Sequence, residues 1–294
     1  MIIDHLFTAV AQKGYVCVGL DTDYEYLPAF FSKTFSHISD ALFAFNKQII
    51  DATIDVSACF KVQIAYYEAF GMQGLEAYKK TLAYLREQKA IIIADVKRGD
   101  IAKTAEMYAK AHFSGDFEAD FMTLNPYMGM DTIIPFLPFV KNNEKGVFVL
   151  IRTSNEGAKD IEYLSITENQ KRVYNVVGEK INTLGKDFLG DCGFSSIGGV
   201  MGCTHADEAR EVRHQFDSTF FLIPGYGAQG GKAENIALYL KNGNGGVVNA
   251  SRSILLAYKK IENGETHFGE HARNEVVRMR NDISAKVNEF MMEW

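Results

Sequence analysis

The chain has 294 residues, 47% hydrophobic and 23% charged, an ordinary globular balance that leaves ample material for a buried core and gives no sign of disorder. A net charge of −6 and a pI near 5.7 argue against a dedicated nucleic-acid binder, because affinity for a phosphate backbone needs a basic surface. Cys17, Cys59, Cys192 and Cys203 form no CxxC pair, so they read as reduced thiols and not as a disulfide or zinc framework.

The chain opens on MIIDHLFTAV, with Asp4 and His5 where a secretory signal would need a basic start and an unbroken apolar run. No stretch approaches the roughly 18 apolar residues of a membrane span, so the expectation is a cytoplasmic protein without a membrane partner. Eight short runs rich in Val, Ile and Phe follow: YVCVGL (15–20), ACFKV (58–62), AIIIADV (90–96), DFMTLN (120–125), GVFVLIR (146–152), IGGVMG (197–202), FFLIPG (220–225) and GVVNAS (246–251). Each is followed by a turn and a segment of helical period. Strands alternating with helices imply right-handed crossovers and a parallel sheet, and eight units close a barrel, with an open doubly wound sheet as the alternative.

Two connections exceed what one helix needs: 21–57, where FSHISDALFAFNKQIIDATI reads as a helix, and 153–196. Both follow strand C-termini, where barrel enzymes carry specificity elements. Neither is Pro- or Ser-rich, so residues 1–294 read as a single (β/α)8 domain, a size such barrels reach. The tail from 268 onward has helical spacing and is expected to close the barrel as an outer helix.

The third run ends in Asp95, Val96, Lys97, Arg98, Gly99, Asp100. Asp95 and Lys97, two apart on a strand, point to one side of the sheet, which in a barrel is the interior mouth. As a bare pattern D-x-K-x-x-D carries little and would equally suit a surface ion-pair turn; its position at the end of an apolar strand gives it weight. Lys61 ends the neighbouring run, so Lys61, Asp95, Lys97 and Asp100 could alternate in one network with each ammonium between carboxylates. Negative neighbours favour the charged lysine, which suits Lys97 to proton donation and not to Schiff-base chemistry. Run seven ends in PGYGAQGG (224–231) and run eight in NASRS (249–253), the two places where barrels often bind a phosphate. Glycines such as Gly227 let the backbone approach an anion, Ser251 offers a hydroxyl, and Arg252 supplies a planar fork of donors.

Asp21, Lys61, ADVKRGDIAKT (94–104), RTSNEG (152–157), PGYGAQGG and NASRS together resemble the orotidine 5'-phosphate (OMP) decarboxylase family, above all its longer bacterial branch. The resemblance covers nearly the whole barrel in the family's order. It implies a cofactor-free, metal-free carboxy-lyase that makes UMP from OMP in pyrimidine biosynthesis. It assigns Lys61, Asp95, Lys97 and Asp100 to the charged tetrad, with Asp100 and Thr104 reaching a partner subunit's site in a homodimer. It further implies that Asp21 binds a ribose hydroxyl, Ser154 the pyrimidine amide, and Gln229 and Arg252 the phosphate. Ile101, Ala102, Lys103, Thr104 depart from the Ile-Pro-Asn-Thr of many relatives, and the length of 21–57 makes Lys47 a rival to Lys61. Two alternatives stay open: a magnesium-dependent keto acid decarboxylase on a related barrel, and a nucleotide-binding barrel without activity.

Overall fold

The computed structural model describes residues 1–142, 145–168, 170–203, 208–227 and 230–292. All eight runs are strands: β1 (Val16–Gly19), β2 (Cys59–Gln63), β3 (Ile92–Arg98), β4 (Phe121–Leu124), β5 (Gly146–Arg152), β6 (Ser195–Met201), β7 (Thr219–Ile223) and β8 (Gly246–Ala250). They pair in parallel and in chain order, and β8 returns to β1 to close the barrel. The strands are buried on both faces, by helices outside and by packed side chains inside, which is why they read as continuous apolar runs and not as alternating ones.

The interior is filled, as a barrel of this size requires. Phe121 and Phe148, their rings 5.1 Å apart, occupy the space below the C-terminal mouth. Glycines on neighbouring strands make room for them: a Cβ at Gly146 would stand 2.3 Å from the Phe121 ring, and one at Gly198 would stand 2.7 Å from the Phe148 ring.

The first helix, Ile2–Lys13, buries Ile2, Ile3, Leu6 and Val10. It lies across the N-terminal ends of the strands, where Asp4 accepts from the Cys192 N–H at 2.8 Å and Phe7 O accepts from Asn244 at 3.1 Å. The helix after β1 spans Ile38–Thr53, shorter than the 35–54 expected, because Phe35 and His37 are extended where the chain turns into it. The tail forms the helix Phe268–Met292 on the outside of the barrel, against Ile38–Thr53, with the Phe45 and Phe268 rings stacked 4.8 Å apart. All four cysteines are unpaired thiols.

Candidate active site

The C-terminal ends of β1, β2 and β3 bring three charged side chains together under the mouth. In register, Gln63 stands beside Asp95 and Lys61 beside Ile93, so Lys61, Gln63 and Asp95 all face inward. Lys61 Nζ lies 2.9 Å from Asp95 Oδ2 and 2.9 Å from Asp21 Oδ1. Burial opposes the charged amine, but the two carboxylates overcompensate and hold the ammonium above its usual range. Asp21 is fixed from both sides: Leu20 O accepts from the buried Tyr67 hydroxyl at 3.1 Å, and the Thr22 hydroxyl donates to Asn46 at 2.7 Å.

Asp95 receives four donors. Oδ2 accepts from Lys61 Nζ and from Gln63 Nε2, each at 2.9 Å; Oδ1 accepts from Lys97 Nζ at 2.6 Å and from the Thr123 hydroxyl at 2.9 Å. Burial alone would raise this carboxyl, yet the charges of Lys61 and Lys97 and their hydrogen bonds hold it well below the usual carboxylate range. Lys97 is on the open side of the cluster, its side chain 45% exposed. Its backbone is left-handed, φ +43°, where the β3–β4 register shifts between Ala94 and Arg98.

Asp100 joins none of this within one chain, contrary to an unbroken Lys61, Asp95, Lys97, Asp100 alternation. It lies past the strand, and its Oδ1 accepts from the Ile101 N–H at 2.8 Å, just before the helix Ala102–Phe113. Among the described residues of one chain, Lys97 pairs with Asp95, and the second carboxylate on Lys61 is Asp21. Thr104 is exposed on the first turn of that helix. Lys47 is elsewhere, 44% exposed and paired with Asp51 at 2.6 Å.

Ser154 and Lys97 line one cavity of about 230 Å³, whose apolar wall includes Leu150, Val200 and Leu222 from β5, β6 and β7. The loop carrying Ser154 is anchored on both flanks. The Thr153 N–H and hydroxyl donate to Glu162 at 2.8 and 2.7 Å. Arg152, fully buried, pairs with Glu208 at 2.8 Å and donates to Gly202 O at 3.2 Å and to the Tyr239 hydroxyl. Glu208 also accepts from Arg172 and from the Tyr174 hydroxyl, so one carboxylate ties the loops after β5 and β6 together.

A second cavity of about 170 Å³ shares Pro224 and Asn249 with the first and holds Asp21, Tyr66, Ser251 and Arg252. Gly227 has φ +69°, which favours glycine in this turn. The Ser251 hydroxyl is buried with no hydrogen-bond partner among the described residues, and Arg252 is exposed without an ion pair among them. An anion beside both would satisfy them. Gln229 lies outside the described residues, as does His205. His112 is remote from the mouth, behind β3, and burial together with the charge of Arg98 pushes its pKa down to about 4.

Thr123, Gln63 and Tyr66 were not legible as site residues from motifs, whereas Asn249 opens the NASRS segment. Two carried a signal: Gln63 is two residues beyond Lys61 on the same strand, and Thr123 interrupts an otherwise apolar run beside β3.

The family described as orotidine 5'-phosphate decarboxylase / HUMPS matches residues 14–266. The chain is 67% identical over 283 residues to the orotidine 5'-phosphate decarboxylase of Clostridium perfringens strain SM101, covering 96% of this chain and 98% of that protein. It is 60% identical over 288 residues to the protein of that name from Clostridium tetani, covering 98% and 99%. Among solved structures it is similar to Leishmania donovani OMP decarboxylase, with a TM-score of 0.73 and 25% identity over 97% of this chain and 98% of that one. It is also similar to Leishmania donovani UMP synthase, with a TM-score of 0.74 and 27% identity over 95% of this chain and 56% of that one.

Proposed function

The chain belongs to the orotidine 5'-phosphate decarboxylase family, and from that premise we propose that this carboxy-lyase converts OMP to UMP with its own side chains, Lys97 protonating C6 within a Lys/Asp network. The observation that carries the mechanism is Asp95, a carboxylate held ionised by four donors and gripping both Lys61 and Lys97.

Breaking the C6–carboxylate bond leaves the electron pair in an in-plane orbital on C6, with no conjugated sink, while carbon dioxide departs. Stabilisation must come from a cation held beside that carbon. The Lys97 ammonium supplies the charge and then the proton, and is reprotonated from solvent. Asp95 facing the substrate carboxylate adds repulsion that departure of carbon dioxide relieves. This reaction class asks for a barrier reduction on the order of 20 kcal/mol, and a preorganised charge cluster is a source of the right size.

The remaining assignments follow the two cavities, which share Pro224 and Asn249 in their walls. Asp21 takes a ribose hydroxyl, Ser154 the pyrimidine amide, and Arg252 and Gln229 the phosphate, with Gly227 and Ser251 shaping that end. The site is completed in a homodimer, where Asp100 and Thr104 reach into the partner's active site. Support comes from the surface around them: Ile101 is 59%, Met107 48%, Tyr127 79%, Met128 49% and Ile134 56% exposed, an apolar face of the kind that marks a contact. A cytoplasmic setting fits a nucleotide substrate, and no described helix is long and apolar enough to cross a membrane.

The direct test is the fall in OMP absorbance with purified protein, with and without EDTA. Equal turnover to UMP in both is expected. No turnover defeats the proposal, and activity abolished by EDTA transfers the chain to the metal-dependent members of the family.

A further inference from the structure

The Thr123 hydroxyl has one hydrogen to give and two lone pairs to fill. Both lone pairs face backbone donors, the Val96 N–H at 3.0 Å and the Lys97 N–H at 2.9 Å. The single hydrogen is left for Asp95 Oδ1, 2.9 Å away. The side chain is buried, so water does not compete for these bonds.

Two consequences follow. In a regular strand successive N–H groups point to opposite neighbours, so one β4 side chain would never meet both Val96 and Lys97. The bulge in β3 turns both toward β4, and Thr123 satisfies the two donors thereby freed from the ladder. Lys97 holds its left-handed φ of +43° in that bulge. The hydroxyl also cannot accept a proton from Asp95, because its acceptor sites are taken. A protonated Oδ1 would set two hydrogens against each other, and Oδ2 already accepts from Lys61 and Gln63, so the geometry favours the carboxylate.

We propose that Thr123 is a positioning residue of the decarboxylation site, which fixes the β3 bulge that aims Lys97 and holds Asp95 as a hydrogen-bond acceptor. The inference rests on the OMP decarboxylase reading above.

The test compares Thr123→Val, which keeps the shape but removes the hydroxyl, with Thr123→Ser, which restores it. The valine variant should lose about tenfold or more in kcat with KM within about threefold of wild type, since the interaction acts on the reacting end and not on the phosphate end. The serine variant should return to within about threefold of wild-type kcat. A valine variant of undiminished kcat, or a serine variant no better than valine, overturns the role, as does a loss confined to KM. Should the valine variant not fold by circular dichroism, Thr123→Cys, whose thiol is a weak acceptor, is read in the same ways. Wild-type protein is assayed alongside: its failure to turn over OMP counts against the decarboxylase reading, whereas an active wild type with an equally active valine variant counts against Thr123 alone.

Discussion

Lys61 and Asp95 meet at 2.9 Å with side chains only 5% and 8% exposed, an ion pair sealed beneath the barrel mouth. A buried pair gives little net stability, because removing two charges from water costs about what their attraction returns. Lys61 is the inner brace of the cluster: held between Asp21 and Asp95, it fixes the carboxylate whose other oxygen meets Lys97. The arrangement makes sense as a way of placing the outer lysine.

Replacing Lys97 with alanine should abolish turnover while leaving the fold intact. Its side chain is on the open side of the cavity, so truncation leaves no void in the core, and Asp95 keeps Lys61, Gln63 and Thr123. Loss of both the stabilising charge and the proton donor should lower kcat by about 10⁴-fold or more. Steady-state kinetics beside a circular dichroism melt check this. Activity near that of wild type would remove Lys97 from the mechanism.

Asp95→Asn should destabilise the protein in a pH-dependent way. Its folded-state pKa is depressed by Lys61 and Lys97, so its contribution is fully present above the unfolded carboxyl value near 3.9 and is lost as pH falls toward the folded value. The variant leaves Lys61 with Asp21 alone, and a cost of about 2–4 kcal/mol at pH 7 is expected. Denaturant unfolding at several pH values should show the gap between the two proteins narrowing below about pH 4. A gap that is constant with pH would mean that the charge of Asp95 is not what stabilises the fold.

The barrel was legible because each strand is buried on both faces and therefore reads as an unbroken apolar run. Lys61 and Asp95 were legible because strand alternation turns both inward. What escaped depends on pairs far apart in sequence. The bulge at Lys97 exists through Thr123 on the next strand, so a period of two could not reveal it. Arg152 is a buried arginine whose carboxylate partner, Glu208, is brought near by the loop after β6. Asp100, expected on the loop past the strand, accepts there from the Ile101 N–H.

Arg252→Ala should act on binding more than on chemistry. The guanidinium stands exposed at the end of β8, without an ion pair among the described residues, in the cavity that contains Asp21. Loss of a bidentate, charge-assisted contact is worth about 2–3 kcal/mol, which predicts a KM for OMP raised roughly 30- to 150-fold. UMP affinity measured by calorimetry should fall in parallel. A variant that binds UMP as tightly as wild type would move the phosphate site elsewhere.

The proposed sharing of the site between two subunits makes a prediction of its own. If Asp100 of one subunit serves Lys97 of the other, Lys97→Ala and Asp100→Ala homodimers are each defective at both sites. Unfolding and refolding an equal mixture creates heterodimers in which one site carries both lesions and the other carries neither. With random pairing half the dimers are mixed and each has one intact site, so about a quarter of wild-type activity should return from two nearly inactive proteins. Sedimentation should show a dimer throughout. If Asp100 instead acted within its own chain, every site would keep one lesion and mixing would restore nothing. The exposed face around Ile101 and Tyr127 gives an independent handle, because a charge at Tyr127 should weaken the dimer and lower activity in proportion to dissociation.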